Sequence, residues 1–297
     1  LLYPDINSLF STEEASNALT NTRFAQPVLV SFEFCLAEVW RSRGVQPQGV
    51  IGHSLGEYAA AVVSGVMSIE DCLLLVCERG RLVQESILCR GCMVALRATA
   101  DQVHNAIDSA GTSHEVALAA ENTSRSVVLS GTESGVTKTL TYLEKVAQVR
   151  LQVENGFHSP CLDSILPEFR VKLETLNLKK PSMTFVSTVT GGKANDEVTS
   201  VEYWCNHITG TVLYMQAAEF AWISGGRVFI EMGPESTLTK LSRTNMTKMP
   251  LFVPDSTQWL SSIEILAKSQ STVSALITQM QIANQRDDVC SSTKKLA

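Results

Sequence analysis

No basic excess runs through this chain: 24 Lys and Arg against 30 Asp and Glu leave a formal net charge of −6. There is thus no positive field to gather nucleic acid. No run of about 20 uninterrupted apolar residues occurs, which argues against a membrane-spanning helix. The opening Leu1-Leu2-Tyr3-Pro4-Asp5 lacks the charged-then-apolar form of a secretory signal. A soluble, cytoplasmic protein without nucleic-acid or membrane partners is expected. The eight cysteines sit mostly in apolar segments and read as buried thiols of a reducing compartment. Cys89-Arg90-Gly91-Cys92 has C-x-x-C spacing, but no second such pair and no paired histidines accompany it, so no metal site is read there. At 297 residues the chain can bury a sizeable core, as one large domain or two modest ones.

What is present is a nucleophile elbow. Val50-Ile51-Gly52-His53-Ser54-Leu55-Gly56-Glu57-Tyr58-Ala59-Ala60-Ala61 runs from an apolar strand through Gly-x-Ser-x-Gly into an alanine-rich helix. Glycines at 52 and 56 are expected to let the chain turn sharply with no Cβ in the way, which lifts the Ser54 hydroxyl out of the sheet near a helix N-terminus. The Leu55 N–H is positioned by the same turn to stabilise an oxyanion. A Gly-rich turn whose serine merely caps the helix would share the bare pattern. The flanking strand and helix favour the catalytic reading.

Apolar positions from Thr22 to Trp40, among them Phe24, Val28, Val30, Phe32 and Leu36, read as one long core-facing helix leading to the strand at Gly49. Ser68, with Glu70 and Asp71, caps a second helix over Ile69 to Glu85. From Gly91 to Val153 the texture changes to short units: strand 92–96, helix 100–110, strands 116–120 and 126–130, helix 132–145, strand 147–153. That β-α-β-β-α-β order predicts a ferredoxin-like subdomain over 91–153, inserted between core segments 1–90 and 154–260. Longer helices and apolar strands then return, the first a helix from Cys161 to Leu176. The polar stretch 261–297 reads as a helix followed by a linker or disordered tail.

Ser54 needs a base. His104 and His114 fall in the inserted unit, where a solvated role is expected, and His53 beside the nucleophile reads as a polar wall of the pocket. His158, in Val153-Glu154-Asn155-Gly156-Phe157-His158-Ser159-Pro160, lies where the insert rejoins the core and is the candidate general base. A capping or packed histidine before Pro160 is the competing reading. No Asp or Glu stands out as a third member. A Ser–His dyad follows, its imidazole oriented by a backbone carbonyl.

Gly52-His53-Ser54-Leu55-Gly56-Glu57, Arg79-Gly80-Arg81-Leu82-Val83-Gln84-Glu85, Gly91-Cys92-Met93-Val94-Ala95-Leu96, Ala119-Ala120-Glu121-Asn122, Gly156-Phe157-His158-Ser159-Pro160 and Glu231-Met232-Gly233-Pro234 occur in this order. Together they make the chain, from about Thr22 to Arg243, resemble the acyltransferase domain of a polyketide synthase. That domain is related to malonyl-CoA:acyl carrier protein transacylase and to the fatty acid synthase malonyl/acetyl transferase. The resemblance implies an α/β-hydrolase-like core with a ferredoxin-like insert, Ser54 as the acylated nucleophile and His158 as its base. It makes Arg79 the holder of a malonyl carboxylate through a bidentate pair, Leu55 an oxyanion donor, and the backbone carbonyl of His207 the group that orients His158. Phe157 would crowd an α-methyl, while Gln84 and Asn122 would line the cleft. Malonyl is favoured over methylmalonyl because Leu55 stands where methylmalonyl-type domains tend to carry Gln.

The resemblance further implies malonyl-CoA as substrate, no permanently bound cofactor, an acyl carrier protein bearing phosphopantetheine as acceptor, and a ketosynthase or other synthase domain as neighbour. Family members usually begin with a Phe-Pro-Gly-Gln-Gly segment whose Gln is a second oxyanion donor. Nothing like it precedes Leu1-Leu2-Tyr3-Pro4, so the chain is expected to start inside the domain and to be weakly active or inactive. A serine esterase or thioesterase would share the elbow, but would add an acidic triad member and a Gly-rich oxyanion loop. A non-catalytic scaffold fragment of a megasynthase would form no acyl-enzyme at all.

Overall fold

The computed structural model describes residues 19–249, 257–268, 273–275 and 277–278. Helix α1 (Thr22–Ser42) starts at Asn21, whose side chain accepts from the Arg23 N–H, and leads through a short loop to β1 (Gly49–Ile51) and α2 (Gly56–Val63). Helix α3 (Ile69–Glu85) has the limits its Ser68 cap predicts: the Ser68 hydroxyl accepts from the Asp71 N–H. The two long helices meet at Gly80, where a Cβ would sit 2.9 Å from the Thr22 carbonyl oxygen. Only a residue without a side chain allows that approach.

The core-facing reading of α1 needs correcting. Val30 and Leu36 are buried as expected, together with Gln26, Ala37 and Trp40, but Phe24, Val28 and Phe32 lie on an exposed stripe. Spacing alone describes an apolar stripe, but the partner helix decides which stripe turns inward. Here α3 meets the face carrying Thr22 and Gln26.

The next unit comprises β2 (Cys92–Leu96), α4 (Ala100–Ala110), β3 (Val116–Thr123), β4 (Ser126–Gly131), α5 (Glu133–Leu140) and β5 (Gln148–Arg150). Its four strands form an antiparallel sheet in the order β3-β4-β2-β5. Alternation along the strands serves two cores. Cys92, Val94, Leu96, Val127 and Leu129 pack beneath α4 with Val103 and Ile107, while Met93 and Val128 face Val212, Tyr214 and Trp222 of the main body. The last strand is shorter than the 147–153 expected.

Beyond it, the helix expected from Cys161 to Leu176 splits into a 3₁₀ segment, Pro160–Ile165, and α6 (Leu166–Leu173). Strands β6 (Thr184–Ser187) and β7 (Gly192–Ala194) follow, then α7 (Val201–Thr209), α8 (Tyr214–Ile223), β8 (Val228–Glu231), α9 (Thr237–Met246), β9 (Gln258–Ser261) and α10 (Ser262–Leu266). β1 pairs parallel with β6, placing Ile51 opposite Val186, and β8 pairs parallel with β9. The architecture is mixed α/β. A core of Tyr58, Leu75, Val76, Phe169, Phe185 and Trp204 fills the space among α2, α3, α6 and α7.

Ser261 and Ser262, where a tail was expected to begin, are buried, and the Trp40 indole N–H donates to the Ser262 hydroxyl (2.9 Å). Val273 and Ile277 pack on the same tryptophan. The rest of the expected tail lies outside the described residues, as does Cys290. Cys72, Cys89, Cys92, Cys161 and Cys205 are buried free thiols, while Cys35 and Cys77 are exposed. Among the described residues no helix is long and apolar enough to cross a membrane, and no group of three His, Cys, Asp or Glu side chains could hold a metal ion.

Candidate active site

The turn between β1 and α2 holds Ser54 at φ 49°, a left-handed conformation unusual for a residue with a side chain. Of the two motif glycines only Gly52 is forced by sterics. A Cβ there would lie 2.3 Å from the Glu57 nitrogen, whereas at Gly56 the nearest atom is a Glu33 carboxylate oxygen at 3.6 Å. The expectation that both glycines clear the turn is corrected to Gly52 alone. The Leu55 N–H, at the N-cap position of α2, donates to no protein group among the described residues and remains open for an oxyanion.

Behind the turn, Glu57 anchors α2. Its carboxyl group accepts from the Thr188 N–H (2.9 Å), the Thr188 hydroxyl (2.5 Å) and the Tyr203 hydroxyl. It is fully buried, and burial raises its pKa to about 7.

His158 also has a positive φ, 56°. Its Nε2 lies 2.6 Å from Ser54 Oγ and its Nδ1 lies 2.9 Å from the Gly210 carbonyl oxygen. A carbonyl only accepts, so the proton sits on Nδ1 and Nε2 offers its lone pair to the serine hydroxyl. Burial holds the imidazole pKa well below its ordinary 6.5, with His207 and Arg79 acting in the same sense, so the ring is neutral and able to take a proton.

The orienting carbonyl is that of Gly210, which corrects the assignment to His207. Gly210 follows the last turn of α7, and the segment after it is tied down on both sides. The Thr211 hydroxyl donates to the Leu118 carbonyl (2.7 Å), the Val212 N–H to that of Ala119 (2.9 Å), and the Leu213 N–H to that of Thr188 (2.7 Å). His207 acts through its side chain instead: Nε2–H donates to the Ser54 carbonyl at 3.0 Å. Its Nδ1 is buried without a partner, and burial lowers its pKa to about 3.

Arg79, one residue before the close contact at Gly80, is 2% exposed. Its guanidinium carbon lies 5.7 Å from the Phe157 ring centre and 5.9 Å from that of Tyr58. It forms no ion pair among the described residues. Nη1 donates to Gln26 Oε1 at 2.5 Å, and Nε has no partner. Burial lowers its pKa, but a guanidinium stays charged.

On the other side of the turn His53 Nε2–H donates to Asn122 Oδ1 (2.7 Å), and the ring lies 5.3 Å from that of Tyr214. Gln84 is not gathered with these groups; its Oε1 accepts from the Thr22 N–H at 3.3 Å, linking α3 to α1. Sequence reasoning missed Gln26, Gly210 and the His207 side chain. Gln26 was one of several polar residues in its helix and did not stand out, and a carbonyl such as that of Gly210 carries no sequence signal.

The chain matches the family model described as "Acyl transferase domain" over residues 7–289. It is 40% identical over 246 residues, 80% of its length, to polyketide synthase GfsB of Streptomyces halstedii, of which it spans 4%. It is 38% identical over 231 residues, 76% of its length, to the PKS-NRPS hybrid synthetase ATPKS of Aspergillus niger, of which it spans 12%. Among solved structures, the acyltransferase domain from the second module of the salinomycin polyketide synthase superposes with a TM-score of 0.77 at 34% identity, covering 85% of this chain and 57% of that one. FabD from Acinetobacter baumannii superposes with a TM-score of 0.79 over 93% of this chain and 86% of that one, and at 24% identity shows the shared fold alone. With a serine half-buried at a strand-to-helix turn against a buried histidine, and a family match across nearly its whole length, the chain belongs to the acyl transferase domain family.

Proposed function

We propose that this domain moves a malonyl group from CoA to the phosphopantetheine thiol of an acyl carrier protein through an acyl-Ser54 intermediate, in polyketide or fatty acid biosynthesis. The carrying observation is the 2.6 Å contact between Ser54 Oγ and His158 Nε2, with Nδ1 held by Gly210. His158 takes the hydroxyl proton as Ser54 attacks the thioester carbon. The Leu55 N–H donates to the resulting oxyanion, and the C–S bond breaks as the proton passes to the departing CoA thiolate. The carrier thiol then attacks the acyl-serine, His158 takes the thiol proton and returns it to Ser54, and the acyl group leaves on sulfur. Arg79 is read as the partner of the free malonyl carboxylate, since a buried cation that faces no acidic side chain among the described residues is suited to receive an anion.

The strand order β3-β4-β2-β5 with two helices on one face supports a ferredoxin-like insert over 91–153, and the parallel β1–β6 pair leading into the elbow supports an α/β-hydrolase-like core. The chemistry needs no resident cofactor or metal. Against eight synthases the chain spans 3% to 14% of their lengths, which supports a ketosynthase or other synthase domain as neighbour. Cytoplasmic CoA thioesters as substrates place the proposed reaction in the cytoplasm.

The test is intact mass spectrometry of the chain after brief exposure to malonyl-CoA or acetyl-CoA, followed by addition of a carrier protein. A malonyl adduct absent from Ser54→Ala and passed to the carrier is expected. An adduct released only to water would make the domain a hydrolase, and an adduct surviving in Ser54→Ala would remove the serine from the mechanism. Arg79→Ala should lower malonyl loading far more than acetyl loading; equal losses would refute the clamp.

A further inference from the structure

Arg79 donates its hydrogen bond to a neutral amide oxygen, although a buried guanidinium ordinarily sits against a carboxylate. That amide is itself fixed. Gln26 is 4% exposed, its Nε2 donates to the Thr22 hydroxyl at 2.6 Å, and its Oε1 is thereby presented to Arg79 Nη1. Thr22 is in turn held by Gln84 through its N–H. The close approach at Gly80 brings the α1 backbone against α3, one turn from Gln26. The rings of Tyr58 and Phe157 lie alongside the guanidinium, and the buried Nε donor is left open.

We infer that Gln26 is a positioning residue that fixes the direction of Arg79 while leaving its charge unspent, and so sets the preference of the site for acyl groups that carry a carboxylate. The inference rests on the reading of Arg79 as the carboxylate clamp. An amide oxygen restrains the fork without neutralising it. A carboxylate at position 26 would close an internal ion pair, and an incoming malonyl group would have to compete with it.

The experiment compares Ser54 loading by malonyl-CoA and acetyl-CoA in the full chain for Gln26→Glu, Gln26→Ala, Arg79→Ala and the double variant Gln26→Glu/Arg79→Ala. Gln26→Glu is expected to lower the malonyl-to-acetyl ratio by about 30-fold or more, the scale of a disrupted buried charge contact. Gln26→Ala, which removes the acceptor without adding charge, should lower the ratio by about tenfold and reads the same quantity if the Glu variant does not fold. On the Arg79→Ala background Gln26→Glu should change the ratio no further. An unchanged ratio in both Gln26 variants, or equal losses of the two acyl groups, overturns the assignment while a collapsed ratio in Arg79→Ala leaves the clamp standing. An unchanged ratio in Arg79→Ala refutes the clamp and this inference with it.

Discussion

Replacing Gly52 with alanine would place a Cβ 2.3 Å from the Glu57 nitrogen and 2.4 Å from the Gly56 carbonyl carbon. Both are backbone atoms, so no rotamer change relieves the overlap. The turn must open by about 1 Å to restore van der Waals contact. Overpacking of this kind destabilises by about 1–3 kcal/mol. The functional loss should be larger in proportion, because the turn also sets the 2.6 Å contact between Ser54 Oγ and His158 Nε2. A displacement of that size costs about 10²-fold in rate. Gly56→Ala is the contrast: its Cβ would meet only the Glu33 carboxylate, at 3.6 and 3.8 Å. Loading there should stay within about threefold of wild type, with up to about 1 kcal/mol gained from alanine's helix propensity. The assay is the quenched-flow rate of Ser54 malonylation by intact mass, with calorimetric Tm values for both variants. Normal loading in Gly52→Ala, or equal damage in the two variants, would refute the steric account of the elbow.

The left-handed φ of Ser54 gives a second prediction. Ser54→Ala keeps the strain whereas Ser54→Gly removes about 1 kcal/mol of it. The glycine variant should therefore melt about 2–4 °C above the alanine variant, and identical Tm values would show that the turn stores no such strain. A third concerns pH. Glu57 and Glu33, with pKa values raised to about 7 and about 8, add stability that is fully present below 4.5 and lost as pH rises through those values. The depressed His158 and His207 act oppositely: their contribution is full above 6.5 and lost as pH falls toward the folded values. Between pH 6.5 and 7 both carboxyls therefore dominate, and from about 7 to 8 Glu33 alone. Urea unfolding should show stability falling there by up to about 1.4 kcal/mol per pH unit for each carboxyl. Glu57→Gln should flatten the slope below pH 7 and leave it nearly unchanged toward pH 8, and an unaltered slope below pH 7 would mean that Glu57 is ionised there.

What the sequence by itself determined is local. The limits of α3 follow from Ser68 and the acidic first turn, because a cap bond spans three residues and needs no tertiary partner. The β-α-β-β-α-β order from Cys92 to Arg150 was legible because strand alternation and helical spacing repeat within short windows. Ser54 was legible because a sharp strand-to-helix turn needs a small residue at position 52, and His158 stood out through its place at the seam of the two units. The tertiary structure decided the rest. Which face of α1 is buried depended on where α3 could approach, a matter of the missing Cβ at Gly80 and of the Arg79–Gln26 bond across the helix pair. The carbonyl that orients His158 belongs to Gly210 because the following residues are tied to Leu118 and Ala119 of strand β3 and to Thr188 in the turn after β6. Every residue has a carbonyl, so only the path of the folded chain selects the one that meets the imidazole.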